Sequence, residues 1–214
     1  MRCLLPLIGL TVVTVSGAAD KGFTPIFDGK TLDGWTLVNK NRPGNGYSVE
    51  NGAIVSKKTG GGNLFTEREY ANFVLRFEFK MEPGSNNGIG IRAPLTGDVA
   101  YTGMEIQVLD HDHESYKGKL NPTQYHGSIY GVVGAKTGAL KPAGQWNREE
   151  IMAAGRRIKV TLNGKVIVDA NLDDVKDEAV LKQHPGLART TGRIGFLGHG
   201  SRVEFRNLFI KELK

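Results

Sequence analysis

Cysteine is nearly absent. Cys3 is the only one among 214 residues, and it lies in the leading segment, so the rest of the chain can form no disulfide and no thiolate metal site. Stability must come from a packed core, which a chain of this length can bury. Long apolar runs are also missing. The one apolar stretch, residues 4–15, is shorter than the roughly 20 residues a membrane-spanning helix needs. Arg2 precedes it and the small residues Ser16, Gly17, Ala18 and Ala19 follow, which is the grammar of an export signal cleaved after Ala19. Cys3 stands too early for a lipoprotein cleavage site. The expectation is a signal peptide over residues 1–19 and one domain over residues 20–214, exported to the periplasm or the exterior and free of the membrane once the signal is removed.

Other absences narrow the function. The net charge is +6, yet no run of Lys or Arg exceeds two residues, and no aromatics are interleaved for base stacking. No nucleic-acid partner is expected. There is no Gly-x-Ser-x-Gly elbow, no His-Glu-x-x-His helix and no phosphate-binding P-loop. Serine-hydrolase and nucleotide-dependent chemistry are therefore disfavoured. No long segment has a 3.6-residue period. Thr66 to Tyr70 reads as at most one helical turn, and residues 173–183 as a short helix or ordered loop.

What remains is strand text punctuated by Gly, Asn and Asp. Apolar residues at Phe73, Leu75, Phe77, Phe79 and Met81 alternate with polar ones at Arg76, Glu78 and Lys80, the period of a strand with one buried face. Ile158, Val160 and Leu162 repeat it and lead into Asn163-Gly164, a strong hairpin signal, followed by Val166 and Val168. Residues 195–213 give a last pair of strands around Gly198-His199-Gly200. Further strands are expected near residues 47–55, 88–93, 103–109 and 128–133. Closely spaced strands without intervening helices indicate an all-β fold, an antiparallel β-sandwich.

In the 103–109 strand, Met104, Ile106 and Val108 share one face, and Glu105 and Gln107 the other. An acid beside an amide is ordinary on a solvated face and becomes a site on a concave one. Arg92 has the opposite phase to Ile89 and Ile91, so it can stand beside Glu105 if the two strands are neighbours. The run Asp110, His111, Asp112, His113, Glu114 resembles metal-binding text, but consecutive residues cannot all turn toward one ion. Asp110, at the strand end, is its best candidate. His126 precedes a strand, and surface and site readings weigh equally for it. His199 lies between glycines that leave room for a ligand or simply make a turn. Trp146 suits either stacking on a sugar or a place in the core.

Several blocks together resemble the 3-keto-disaccharide hydrolase family. They are Phe27-Asp28-Gly29-Lys30 through Trp35, Asn72 through Phe79 with Gly84-Ser85-Asn86-Asn87-Gly88-Ile89, Gly103 through Asp110 with Gly127-Ser128-Ile129-Tyr130, Gly144-Gln145-Trp146-Asn147, Leu162-Asn163-Gly164, and Gly195 through Gly200 with Phe205-Arg206-Asn207. Six blocks in order carry far more than any one.

The resemblance implies a concanavalin-like jelly roll acting on a small carbohydrate oxidised at C3. A C3 ketone acidifies the C2 proton; a base removes it, the glycosidic oxygen leaves C1 and water adds. The implied catalytic residues are Glu105, His199 and Arg92, the last holding a sugar oxygen or the enolate. Gln107, His126, Tyr130 and Trp146 are the substrate-binding candidates, and Glu105, Asp110 and His199 the candidate ligands of one divalent cation. A non-catalytic carbohydrate-binding module or a structural surface domain is the alternative, and a binding module would expose Trp35 or Trp146 as an aromatic platform.

Overall fold

The computed structural model describes residues 21–38, 46–59 and 61–214; the signal-peptide reading of residues 1–19 lies outside them. The strands are β1 Thr24–Pro25, β2 Trp35–Val38, β3 Tyr47–Glu50, β4 Ala53–Ser56, β5 Asn63–Tyr70, β6 Phe73–Met81 and β7 Asn86–Ala93. They continue with β8 Met104–Leu109, β9 Asn147–Ala154, β10 Arg157–Leu162, β11 Lys165–Asn171, β12 Gly192–Gly198 and β13 Val203–Glu212. Two short helices, α1 Val99–Thr102 and α2 Glu178–Gln183, lie between strands.

The strands form two antiparallel sheets. The first, sheet A, has the order β11-β10-β9-β6-β13-β4-β3, with β1 added beside β13. The second, sheet B, has the order β2-β5-β12-β7-β8. Their inner faces carry the alternating apolar residues and enclose the core, the sandwich expected of period-two text. Phe73, Leu75, Phe77, Phe79 and Met81 are all buried on β6. Phe196 of sheet B stacks on Phe205 of sheet A with ring centroids 4.0 Å apart, and Trp35 stacks on Phe196 at 5.4 Å. Burying each such ring stabilises the fold by roughly 1.5–3 kcal/mol.

Asn163 and Gly164 take φ of 49° and 83°, the left-handed pair that a tight β10–β11 hairpin needs. The single 47–55 strand is instead a hairpin, β3–β4, turned at Asn51 and Gly52 in the same way. Thr66 to Tyr70 is not helical. It is part of β5, pairing with Trp35 on one side and with Gly192 and Arg193 on the other. Neighbouring strands on both edges outweigh the helix propensity of its charged residues. Residues 128–133 make only isolated bridges, Ile106 with Ile129 and Ile129 with Val133.

Candidate active site

On the outer face of sheet B, β7 carries little side-chain bulk, and Phe65, Val99 and Leu197 make a small apolar cluster beside it. Along β7, Ile89 and Ile91 point into the core, so Asn86, Gly88 and Gly90 point outward. The β7–β8 register sets Gly88 opposite Gln107 and Gly90 opposite Glu105. Gly88 leaves a hollow that the Glu105 side chain enters, while Val99 and Leu197 cover Gly90. The Glu105 carboxylate lies over Gly88, and a Cβ at residue 88 would fall inside it. On the other side of β7, β12 pairs Leu197 with Gly88 and Gly198 with Asn87, so His199 emerges next to that hollow.

Glu105 and His199 therefore meet, with Nε2 of His199 3.5 Å from Oε1 of Glu105. The glutamate side chain is 5% exposed and the histidine 46%. This is an ion-pair contact rather than a well-formed hydrogen bond, and Oε1 has no hydrogen-bond partner. The Glu105 carboxylate raises the His199 pKa above its ordinary 6.5 against the opposing effect of desolvation, and Asp98 adds to the rise. The result is a buried carboxylate beside a half-exposed imidazole whose protonated form it favours.

Backbone hydrogen bonds hold β8 in this position. Its outer edge is covered by residues 127–130: Gly127 N–H donates to Gln107 O at 2.7 Å, Gln107 N–H to Ser128 O at 3.0 Å, and Tyr130 N–H to Glu105 O at 2.9 Å. Tyr130 thus sits beside Glu105 through its main chain, while its hydroxyl accepts from Gln124 Nε2 at 3.3 Å. Gln107 is 5% exposed, and its buried Oε1 lacks a partner.

Four expected site residues lie elsewhere. Arg92 is 1% exposed; its guanidinium donates to the carbonyls of Ala71, Gly155 and Arg189. It is committed to tying loops together and cannot take a sugar oxygen. His126 is buried between the sheets, stacked on Phe79 at 5.0 Å. Its Nδ1 accepts from Leu109 N–H at 3.3 Å, so Nε2 carries the proton and donates to Glu149 at 2.9 Å. No substrate reaches it. Trp146 packs against the outer face of sheet A, with Arg206 3.8 Å and Lys80 4.9 Å from its ring centre. Asp110 spends Oδ2 on Gly84 N–H at 2.9 Å.

The expected cation set of Glu105, Asp110 and His199 therefore does not converge. Among the described residues, no group of three or more His, Cys, Asp and Glu side chains could hold a metal. His111 and His113 also part company. His111 is buried and accepts from His126 N–H, and exposed His113 bonds Ser115.

Sequence reasoning passed over Asn86, Gly88 and Glu149. Each had a signal: Asn86 and Gly88 are out of phase with Ile89 and Ile91, and Glu149 is in phase with Ile151 and Ala153, which marks it as a buried carboxylate.

Fold and site together define a two-sheet antiparallel sandwich that carries a paired acid and base on the outer face of its smaller sheet. Residues 22–211 match the 3-keto-alpha-glucoside-1,2-lyase-like domain, and the chain belongs to that family. It is 28% identical, over 90% of its own length and 79% of the relative's, to the 3-keto-disaccharide hydrolase of Bacteroides thetaiotaomicron. Two crystal structures of presumed glycosyl hydrolases from Parabacteroides distasonis are similar to it. The one at 2.00 Å shares 30% identity with a TM-score of 0.75, covering 89% of this chain and 99% of that one. The one at 1.70 Å shares 27% with a TM-score of 0.77, covering 90% and 94%. Membership of the family places the chain among glycoside-cleaving enzymes.

Proposed function

We propose that the protein is an exported enzyme that cleaves a 3-keto-glycoside by elimination followed by hydration. The observation that carries the reading is the Glu105–His199 pair, a buried carboxylate whose Oε1 has no hydrogen bond beside a half-exposed imidazole. Family membership supplies the class of substrate. The leader grammar of residues 1–19 supports export.

In this reading Glu105 takes the C2 proton, which the neighbouring ketone has acidified. The C2–H electron pair becomes the C1–C2 double bond as the C1–O bond breaks. The leaving oxygen takes its proton from His199, whose protonated form the Glu105 carboxylate favours. Water then adds, its hydroxyl to C1 and a proton from Glu105 to C2, while His199 accepts the proton that the water loses. Both residues return to their starting states and the net change is hydrolysis. The usual two-carboxylate route to glycoside cleavage needs no ketone, and among the described residues Glu105 is the carboxylate that forms an ion pair with His199.

The binding-module alternative fares poorly. Trp35 is 6% exposed in the core and Trp146 lies under two cations on the opposite sheet, so neither forms a platform at this face. The test is incubation of the protein with a panel of 3-keto-glucosides, followed by sugar analysis. Glu105→Gln is expected to lower turnover by about 10²–10⁴-fold. No turnover of any panel member, together with unchanged sugar binding by Glu105→Gln, would sink the enzyme reading.

A further inference from the structure

Residues 199–202 lead from β12 in sheet B to β13 in sheet A and carry His199. Gly198, the last residue of β12, still pairs with Asn87, and Val203, the first of β13, pairs with Met81 and Ser56. The four residues between belong to neither strand. Their carbonyls must find partners outside the sheet ladders.

Two of those partners are buried serine hydroxyls. Ser56 Oγ, at the end of β4, donates to Ser201 O at 3.1 Å. Ser85 Oγ, just before β7, donates to Arg202 O at 2.9 Å. The serines are 1% and 2% exposed, and they lie 145 and 117 residues along the chain from the carbonyls they bind. On the other side of His199, Gly198 N–H donates to Asn63 Oδ1 at 3.3 Å. Arg202 also pairs with Glu50 and Glu204, but these side chains are partly solvated, and such pairs contribute little.

Ser85 has a second connection. Its carbonyl accepts from Asp110 N–H at 3.0 Å, and Asp110 directly follows β8, the strand of Glu105. Ser85 is therefore bonded to the end of Glu105's strand through its main chain and to the His199 connection through its side chain. Ser56 bonds the same connection to sheet A. Misplacing a reacting group by 1 Å can cost about 100-fold in rate, so tethers of this kind bear directly on a pair that meets at 3.5 Å.

We propose that Ser85 and Ser56 are positioning residues, which set the distance between Glu105 and His199 by clamping the connection on which His199 stands. This role rests on the elimination reading above, in which those two residues are base and acid. Both hydroxyls are buried and already bonded to carbonyls, so neither reaches substrate. Their loss falls on kcat and spares KM.

The test assays Ser85→Ala and Ser56→Ala on a 3-keto-glucoside, beside wild type and Thr66→Ala. Thr66 is a control of the same kind, because its buried hydroxyl donates to Arg68 O at 2.7 Å, away from the connection. Each serine variant is expected to lower kcat about tenfold or more with KM within twofold of wild type, while Thr66→Ala keeps both within twofold. A kcat within twofold of wild type in both serine variants, or an equal loss in Thr66→Ala, overturns the clamp. Ser56→Ala decides alone if Ser85→Ala does not fold. Crystal structures of wild type and variants read the geometry without turnover, and the separation of Glu105 Oε1 and His199 Nε2 is expected to widen in the serine variants. Should wild type turn over no 3-keto-glycoside, the reaction reading fails by itself. A widened separation then still supports the clamp, and an unchanged one overturns it.

Discussion

The carboxylate of Glu105 occupies the space that a side chain at residue 88 would fill, so Gly88 is the condition for where Glu105 sits. Gly88→Ala must therefore push the carboxylate away from His199. The backbone at this residue has no left-handed φ, and the effect is steric alone. The expected outcome is a loss of kcat of tenfold or more with a stability cost of about 1–3 kcal/mol, the usual size of an overpacking defect. Turnover and urea denaturation, measured on the same preparation, distinguish displacement of the acid from general unfolding. An unchanged kcat would show that Glu105 does not need this position.

The proximity of Glu105 makes His199 a titration reporter. Its pKa lies above the ordinary 6.5 because of the carboxylate. The pair thus contributes stability that is fully present below 6.5 and is lost as pH rises through the raised folded value. The same deprotonation removes the acid from the proposed reaction, so activity should fall on the alkaline side. In Glu105→Gln the NMR titration of the His199 ring is expected to move to lower pH. An unmoved titration would break the link between the two residues.

Arg92 is expected to matter for stability rather than chemistry. Its buried guanidinium joins the carbonyls of Ala71, Gly155 and Arg189, three separate loops, and the residue holds a φ of 48°. Arg92→Met leaves those acceptors unpaired, at a cost of about 3 kcal/mol. Chemical denaturation reads this directly. A variant as stable as wild type but inactive would return Arg92 to the catalytic set.

Trp146 tests which face is active. Its ring packs against Arg206 and Lys80 on the outer face of sheet A. Trp146→Ala is expected to cost about 1–2 kcal/mol in stability through lost cation–π contacts and to leave KM for a 3-keto-glycoside within twofold of wild type. A large rise in KM would place sugar on sheet A.

Mild acid should loosen the loop after β8. Burial pushes the His111 pKa below 6.5, against the pull of Asp112 and Asp110. The unfolded chain binds this proton more readily, so the neutral ring's contribution is present above 6.5 and lost as pH falls through the folded value. Asp28 and Asp169, held below 3.8, add their own loss only at lower pH. Between pH 7.5 and 5, Tm is expected to fall less in His111→Asn, whose amide oxygen can accept from His126 N–H in place of Nδ1. Equal falls in both proteins would remove His111 as the cause.

The sequence by itself determined the sandwich, because strand periodicity is local. Phe73 to Met81 alternate, and alternation on a pleated chain is already one buried and one wet face. It also determined that Glu105 and Gln107 leave the core together, and that Asn163 and Gly164 turn a hairpin. It could not decide which long-range neighbours those strands would find. Arg92 has the phase of a site residue, yet its long side chain meets three loop carbonyls that lie 21, 63 and 97 residues away along the chain. His126 lies in text that reads equally as surface or as site, and only the packing of sheet A against β8 buries it on Glu149. Trp146 went to the opposite sheet for the same reason. Glu105 and His199 are 94 residues apart in sequence, and β7 and β12 bring them together over a glycine. Phase along a strand is set by the backbone of that strand. Convergence at a site is set by sheet order, which each strand's own text does not contain.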